Sequence, residues 1–147
     1  AVVSRYSGHH WPNPPRALHE FHRVLRHGGQ VIISDVTAPQ ETAIDTFMQS
    51  FEILRDQSHV RDHTTEQWLT MMQSAGFQTE VLLNFEVRLK FEDWLNRSNT
   101  EQIYRDAILA LFEGATLEVK KAFQLPDSLR GNFEFVIPGT VFKGTRN

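Results

Sequence analysis

Cysteine is absent from all 147 residues, which removes disulfides, thiolate catalysis and sulfur-ligated metal together. A cysteine-free chain suits a reducing compartment, and the expected location is the cytoplasm. Long apolar runs are missing too. Stretches such as residues 31–33 and 133–137 fall far short of the roughly 20 that span a bilayer. Charge of one sign never gathers: 15 Lys and Arg against 18 Asp and Glu leave −3, without the clusters that nucleic acid or anionic lipid requires. No nucleic-acid or membrane partner is expected. No glycine-rich phosphate loop occurs, and Ser7-Gly8 lacks the preceding glycine of a nucleophile elbow. His19-Glu20-Phe21-His22 spaces its histidines three apart, where the zinc-protease motif needs four. Hydrolase, nucleotide-triphosphatase and metal-site readings therefore fall away. The first residues, Ala1-Val2-Val3-Ser4, include neither an initiator methionine nor a signal-like leader, and read as a chain entered in mid-strand.

What is present is 40% hydrophobic residues, enough for one compact domain with a core. Residues 1–6 are short and β-branched, as a buried strand would be. Asn13 followed by Pro14-Pro15 predicts a capped helix entry. That helix runs to about Arg26, with Leu18, Phe21, Val24 and Leu25 on its buried stripe and Gly28-Gly29 as its left-handed cap. Residues 30–36 are apolar on both alternating faces, the pattern of a parallel strand covered on both sides. Strand, helix and strand make one right-handed crossover. Helices follow over 42–54 and 65–75, then an alternating strand over 77–90 with one wet face. Three shorter helices occupy 91–97, 101–112 and 117–123, before a last strand at 133–142. Pro138-Gly139 interrupts that strand, which predicts a bulge or an edge position.

The ordered series Ser4-Arg5-Tyr6-Ser7-Gly8-His9-His10-Trp11, Ala17-Leu18, Glu20, Arg23-Val24-Leu25, Gly28-Gly29 and Asp35 resembles the class I S-adenosylmethionine-dependent methyltransferases, in particular the quinone-biosynthesis C-methyltransferases. Arg26-His27 stands where that family usually has Lys-Pro. Residues 55–62 and Ala75-Gly76-Phe77 resemble its later segments; after about Arg88 only general character remains. The resemblance implies an α/β fold, a doubly wound, Rossmann-like sheet of which this chain supplies the fourth to seventh strands with flanking helices, the last strand antiparallel. Ligands of such sheets bind at the carboxyl ends of the strands. The family's glycine-rich turn and ribose-binding acidic residue have no counterpart here. The chain is thus expected to be the C-terminal half of the domain, inactive or nearly so alone, with the missing N-terminal half or a homo-oligomer as partner; the alternative is a non-catalytic remnant or fragment that self-associates, as a homodimer, through its exposed sheet edge.

The resemblance implies S-adenosylmethionine as cofactor and a small-molecule acceptor. Methyl transfer is an in-line displacement that needs alignment and, for some acceptors, a base. Arg5, Tyr6 and Ser7 are the implied cofactor-binding residues. His10 is favoured as catalytic base, with His9 beside it; the pair equally suits ordering the loop. His9, Asp35, His59 and Arg61 are candidates for substrate or lid contacts, and Asp35 equally suits capping its loop. His59 and His63 lie four apart, but the segment is not helical in pattern and no third ligand is evident. Trp68, Met71, Met72 and Phe77 fit a core better than a quinone pocket.

Overall fold

The computed structural model describes residues 1–147. Four strands form one mixed sheet: β1 (Val2–Arg5), β2 (Gln30–Val36), β3 (Phe77–Lys90) and β4 (Glu134–Arg146), in the order β1-β2-β4-β3. β1 runs parallel to β2, with Val2 opposite Val31 and Arg5 opposite Ser34. β2 runs antiparallel to β4, from Gln30 opposite Thr145 to Val36 opposite Gly139. This is the Rossmann-like sheet expected, with its last strand reversed. No helix is long and apolar enough to cross a membrane.

The chain divides into two compact units. The first unit comprises Ala1–Ala38, Val60–Phe85 and Pro138–Asn147. Its helices are α1 (Pro14–Val24) and α3 (Thr65–Ser74). Both cover the same sheet face, because Leu18, Leu25, Trp68 and Met72 pack in one cluster with Val31, Ile33 and Phe142. Asn13 caps α1, its Oδ1 accepting from Arg16 N–H at 3.0 Å. α3 begins on a capping box: Thr64 and Gln67 each satisfy the other's backbone N–H.

α1 stops two residues before the expected end. Leu25 turns extended at φ −72°, ψ 145°, so Gly28-Gly29 is not the helix cap. Gly28 instead takes φ +72° inside a turn in which Gly29 N–H donates to Arg26 O at 2.7 Å. The turn is tied to the end of β4 through Gly28 N–H on Arg146 O, at 2.8 Å. A left-handed glycine is needed here, but for the entry into β2 rather than for the helix.

The edge position expected from Pro138-Gly139 is also corrected, since β4 lies inside the sheet. Pro138 O accepts from Thr37 N–H at 2.9 Å. Its missing N–H would face the same way, at the level of Thr37, one residue past the end of β2, where the ladder no longer needs a donor. Gly139 is required by proximity: a Cβ there would lie 2.5 Å from the Phe85 ring.

The second unit comprises Pro39–His59 and Glu86–Ile137. It holds α2 (Thr42–Arg55), α4 (Phe91–Arg97), α5 (Gln102–Glu113) and α6 (Leu117–Ala122). Its core is aromatic: Phe51, Trp94, Phe112, Phe123 and Phe135 are all buried. Arg55 ends α2 with its guanidinium 5.1 Å from the Trp94 ring centre and its Nε donating to Trp94 O at 3.1 Å. Burial pushes that guanidinium below its ordinary range, with Glu52 opposing the shift.

Candidate functional site

The carboxyl ends of β1 and β2 lie side by side because the strands are parallel. Tyr6 leaves β1 at φ 48° while its N–H still donates to Ser34 O at 2.9 Å. A non-glycine residue in the left-handed region is uncommon and turns the chain sharply. Ser7 follows, its hydroxyl 2.9 Å from that of Ser4. Gly8–His10 then form one 3-10 turn. Arg5 folds back so that its guanidinium carbon lies 4.9 Å from the Tyr6 ring centre.

Asp35, near the end of β2, holds this turn in place. Its carboxylate is fully buried. Oδ2 accepts Gly8 N–H at 2.6 Å; Oδ1 accepts from His9 Nδ1 at 2.7 Å and from Val36 N–H at 2.9 Å. Three donors satisfy a carboxylate that burial would otherwise make costly. An ionised carboxylate only accepts, so His9 carries its proton on Nδ1. The His9 carbonyl in turn accepts N–H from Val60 at 2.9 Å and from Arg61 at 3.1 Å. The His9 and His10 rings are 4.2 Å apart, tilted by 50°.

The first unit thus gathers Arg5, Tyr6, Ser7, His9, His10, Asp35 and Arg61. His59 belongs to the second unit, buried, where its Nε2–H donates to Gln49 Oε1 at 3.0 Å. Gln49 Nε2 passes the chain of bonds on to Asp45 Oδ1 at 2.7 Å. No three His, Asp or Glu side chains converge as metal ligands. Trp68 and Met72 are core residues, both buried in the first unit's cluster.

Two features escape a reading of the sequence. The first is the close approach at Gly8, where a Cβ would sit 2.7 Å from Asp35 Oδ2 and 2.8 Å from the Trp68 ring. A glycine wedged between Ser7 and His9 is the only sequence signal for it. The second is a hydroxyl cluster centred on Thr140, which lies opposite Asp35 in the β2–β4 register. The Thr140 hydroxyl donates to Asn84 Oδ1 at 3.1 Å. It thereby becomes an acceptor for Thr37 at 3.3 Å and Thr65 at 3.2 Å. Three threonines scattered over the chain give no local pattern from which to find it.

This fold, with a locked turn at the strand ends, defines a class. A family model described as a methyltransferase domain matches residues 1–82. A putative methyltransferase of Bacillus halodurans C-125, known from its crystal structure, is 31% identical with a TM-score of 0.93, over 99% of this chain and 68% of that one. The chain belongs to the methyltransferase-domain family. It is also similar to YafE of Escherichia coli K12, at 38% identity over 84% of this chain and 60% of YafE. YcgJ of Bacillus subtilis, an uncharacterised methyltransferase, is 23% identical over 99% of this chain and 58% of its own length. The YcgJ crystal structure has a TM-score of 0.95, which at this identity shows the shared fold. The chain therefore spans less than two thirds of either curated relative.

Proposed function

We propose that this chain forms one side of a site that transfers a methyl group from S-adenosylmethionine to a small-molecule acceptor in the cytoplasm. The acceptor is aromatic or isoprenoid-like, as the resemblance to quinone-biosynthesis enzymes implies. The observation that carries the reading is the turn at Tyr6–His10, locked by buried Asp35 beside two parallel strand ends. Ligands of open α/β sheets bind at such ends.

The residues present suit part of the cofactor. The Arg5 guanidinium and the Ser7 hydroxyl match the charged methionine end, and the exposed Tyr6 ring offers an aromatic face to the cationic sulfonium. Asp35 is not available to ribose hydroxyls, since it is buried and holds three donors. No glycine-rich strand-turn-helix occurs in the 147 residues. Further polypeptide, from the N-terminal half of the domain or a second copy, is proposed to hold the adenosine. Once bound, the cofactor supplies an activated methyl on sulfur; this chain orients its methionine end.

Calorimetric titration of the 147-residue chain with S-adenosylmethionine tests this. Methionine-end contacts alone are expected to give a dissociation constant of about 100 μM to 1 mM, with the heat lost in Arg5→Ala and Ser7→Ala. Absence of heat up to millimolar cofactor would remove residues 5–7 from cofactor binding. A second reading, self-association through a sheet edge, draws on β1 having one neighbour and on Val3 being 71% exposed. Light scattering in the same cell decides it: a dimer mass supports it, and a monomer at micromolar concentration ends it.

A further inference from the structure

We propose that Arg5 and Tyr6 form a carboxylate-gated sulfonium site. A sulfonium reaches the Tyr6 ring when a carboxylate on the same ligand draws Arg5 off it, so the pair selects α-amino-acid sulfoniums over those that lack a carboxylate. The inference rests on the methyltransferase reading and deepens it, because it joins two cofactor contacts into one determinant of specificity.

Successive residues of a continuing strand point to opposite faces. Arg5 shares the exposed face of β1 with Val3, and one more extended residue would turn Tyr6 towards the face of buried Ser4. The left-handed backbone of Tyr6, at φ 48°, prevents this and brings its ring round to the guanidinium, whose carbon lies 4.9 Å from the ring centre. Such a conformation is unfavourable for any side chain larger than glycine. The chain holds it from both sides, through Tyr6 N–H on Ser34 O at 2.9 Å and Gly8 N–H on Asp35 Oδ2 at 2.6 Å. The stack is therefore imposed by the turn rather than met by chance between two surface side chains.

Arg5 has no acid of its own. No ion pair or hydrogen bond ties its guanidinium to the rest of the chain, and the Tyr6 ring is its partner. A guanidinium is a planar fork of N–H donors that matches a carboxylate. An aromatic face satisfies that fork poorly, and the attraction between them is weak at exposed positions. Arg5 is exposed and Tyr6 is 37% exposed, so a ligand carboxylate outcompetes the ring for Arg5. A bare cation faces the opposite balance: it must displace a like charge from the ring and offers the guanidinium nothing. A sulfonium that carries its own carboxylate supplies both halves of the exchange. Arg5 moves to the carboxylate, the vacated face takes the sulfonium, and no covalent bond changes.

Two small probes separate these cases without adenosine. S-methylmethionine has an α-amino-acid carboxylate and a sulfonium; trimethylsulfonium has the sulfonium alone. The full 147-residue chain, labelled with nitrogen-15, is titrated with each while the Arg5 Nε–Hε resonance and the Tyr6 ring protons are followed. Tyr104→Phe leaves Tyr6 as the one tyrosine and assigns its ring. In the free chain Arg5 Hε is expected upfield of the other arginines, shielded by the ring. Millimolar S-methylmethionine should return it to its ordinary position as the sulfonium methyls of the probe move upfield. Trimethylsulfonium should bind Arg5→Gln, whose ring is unmasked, about two- to fivefold more tightly than it binds the parent, whereas S-methylmethionine should bind that variant more weakly. The proposal is overturned by an unshielded Arg5 in the free chain, by an Arg5 resonance that S-methylmethionine leaves unmoved, or by trimethylsulfonium binding parent and variant equally. The parent spectra decide the first two points without any variant. Cofactor binding by calorimetry stands or falls separately: heat with S-adenosylmethionine while Arg5 stays on the ring would leave methyl transfer standing and sink the gate.

Discussion

Replacing Phe51 by alanine is expected to cost about 3–5 kcal/mol of folding stability, the range for emptying a buried aromatic site. Phe51 is 0% exposed. Its ring meets Phe47, Trp94, Phe112, Phe123 and Phe135 at centroid distances from 5.3 to 6.3 Å, all nearly perpendicular, at 72–89°. Edge-to-face packing on every side means each contact adds to plain area burial. The same geometry prevents collapse, because five rigid neighbours cannot bend into the space one ring leaves. With a urea slope of about 2 kcal/mol/M, the midpoint should fall by roughly 2 M. Phe51→Leu keeps most of the volume and should lose about 1 kcal/mol. If alanine loses under about 1.5 kcal/mol, the aromatic core repacks and the rigid-cluster account is wrong. The two units also make a test of cooperativity: coincident transitions by fluorescence and circular dichroism would show that losing Phe51 unfolds the chain as a whole.

The sheet and its helices were legible wherever one periodicity ruled without competition. Residues 30–36, apolar on alternating faces, are β2, and residues 77–90, alternating against polar neighbours, are β3. Asn13 before two prolines fixed the start of α1. Legibility failed where glycine or proline had several uses. Gly28 reads as a helix cap, but Leu25 has already left the helix, and the left-handed residue serves the turn that follows. Pro138 reads as an edge marker because a proline usually costs an interior ladder bond. Here the lost donor falls just beyond the end of β2. Such facts depend on where a neighbouring strand stops, which no local window contains.

The site divides in the same way. Position along a strand was readable, so Arg5 to His10 and Asp35 could be placed at strand ends before any geometry. Pairing was not. Nothing local joins Asp35 to His9 across 26 residues of sequence, or distinguishes His9 from His10, which differ by one position in a turn. The carboxylate chooses between them. One reading of Asp35 was a cap for the loop after β2, and it does accept the N–H of Val36. Its other two bonds reach back to the turn after β1. Local capping and long-range clamping are thus the work of one buried group, and the sequence displays only the first.

Gly8→Ala should therefore be strongly destabilising, costing about 3 kcal/mol, the upper end for overpacking. Its backbone is not left-handed, so the effect isolates sterics. The added methyl would meet Asp35 Oδ2 at 2.7 Å and Cζ2 and Cη2 of Trp68 at 2.8 Å. Neither neighbour is free to yield. The carboxylate oxygen is held by Gly8's own N–H at 2.6 Å, and the indole is 1% exposed in the core. Relief must come from the turn itself, by moving Gly8 off Asp35, and that would carry His9 with it. Two readouts should then move together. The urea midpoint falls by about 1.5 M for a slope near 2 kcal/mol/M, and the His9 Nδ1–H tautomer preference weakens. Trp68→Phe removes the two offending ring carbons, so in the Gly8→Ala background it should cost less than it does alone, a coupling of about 1 kcal/mol for residues in contact. Gly114→Ala, whose methyl would come no closer than 3.4 Å to Ala110 O, is the control and should change stability by no more than about 0.5 kcal/mol. A Gly8→Ala chain as stable as the parent, with His9 unchanged, would mean that the turn slides freely over Trp68, and that Asp35 does not hold His9 in one place.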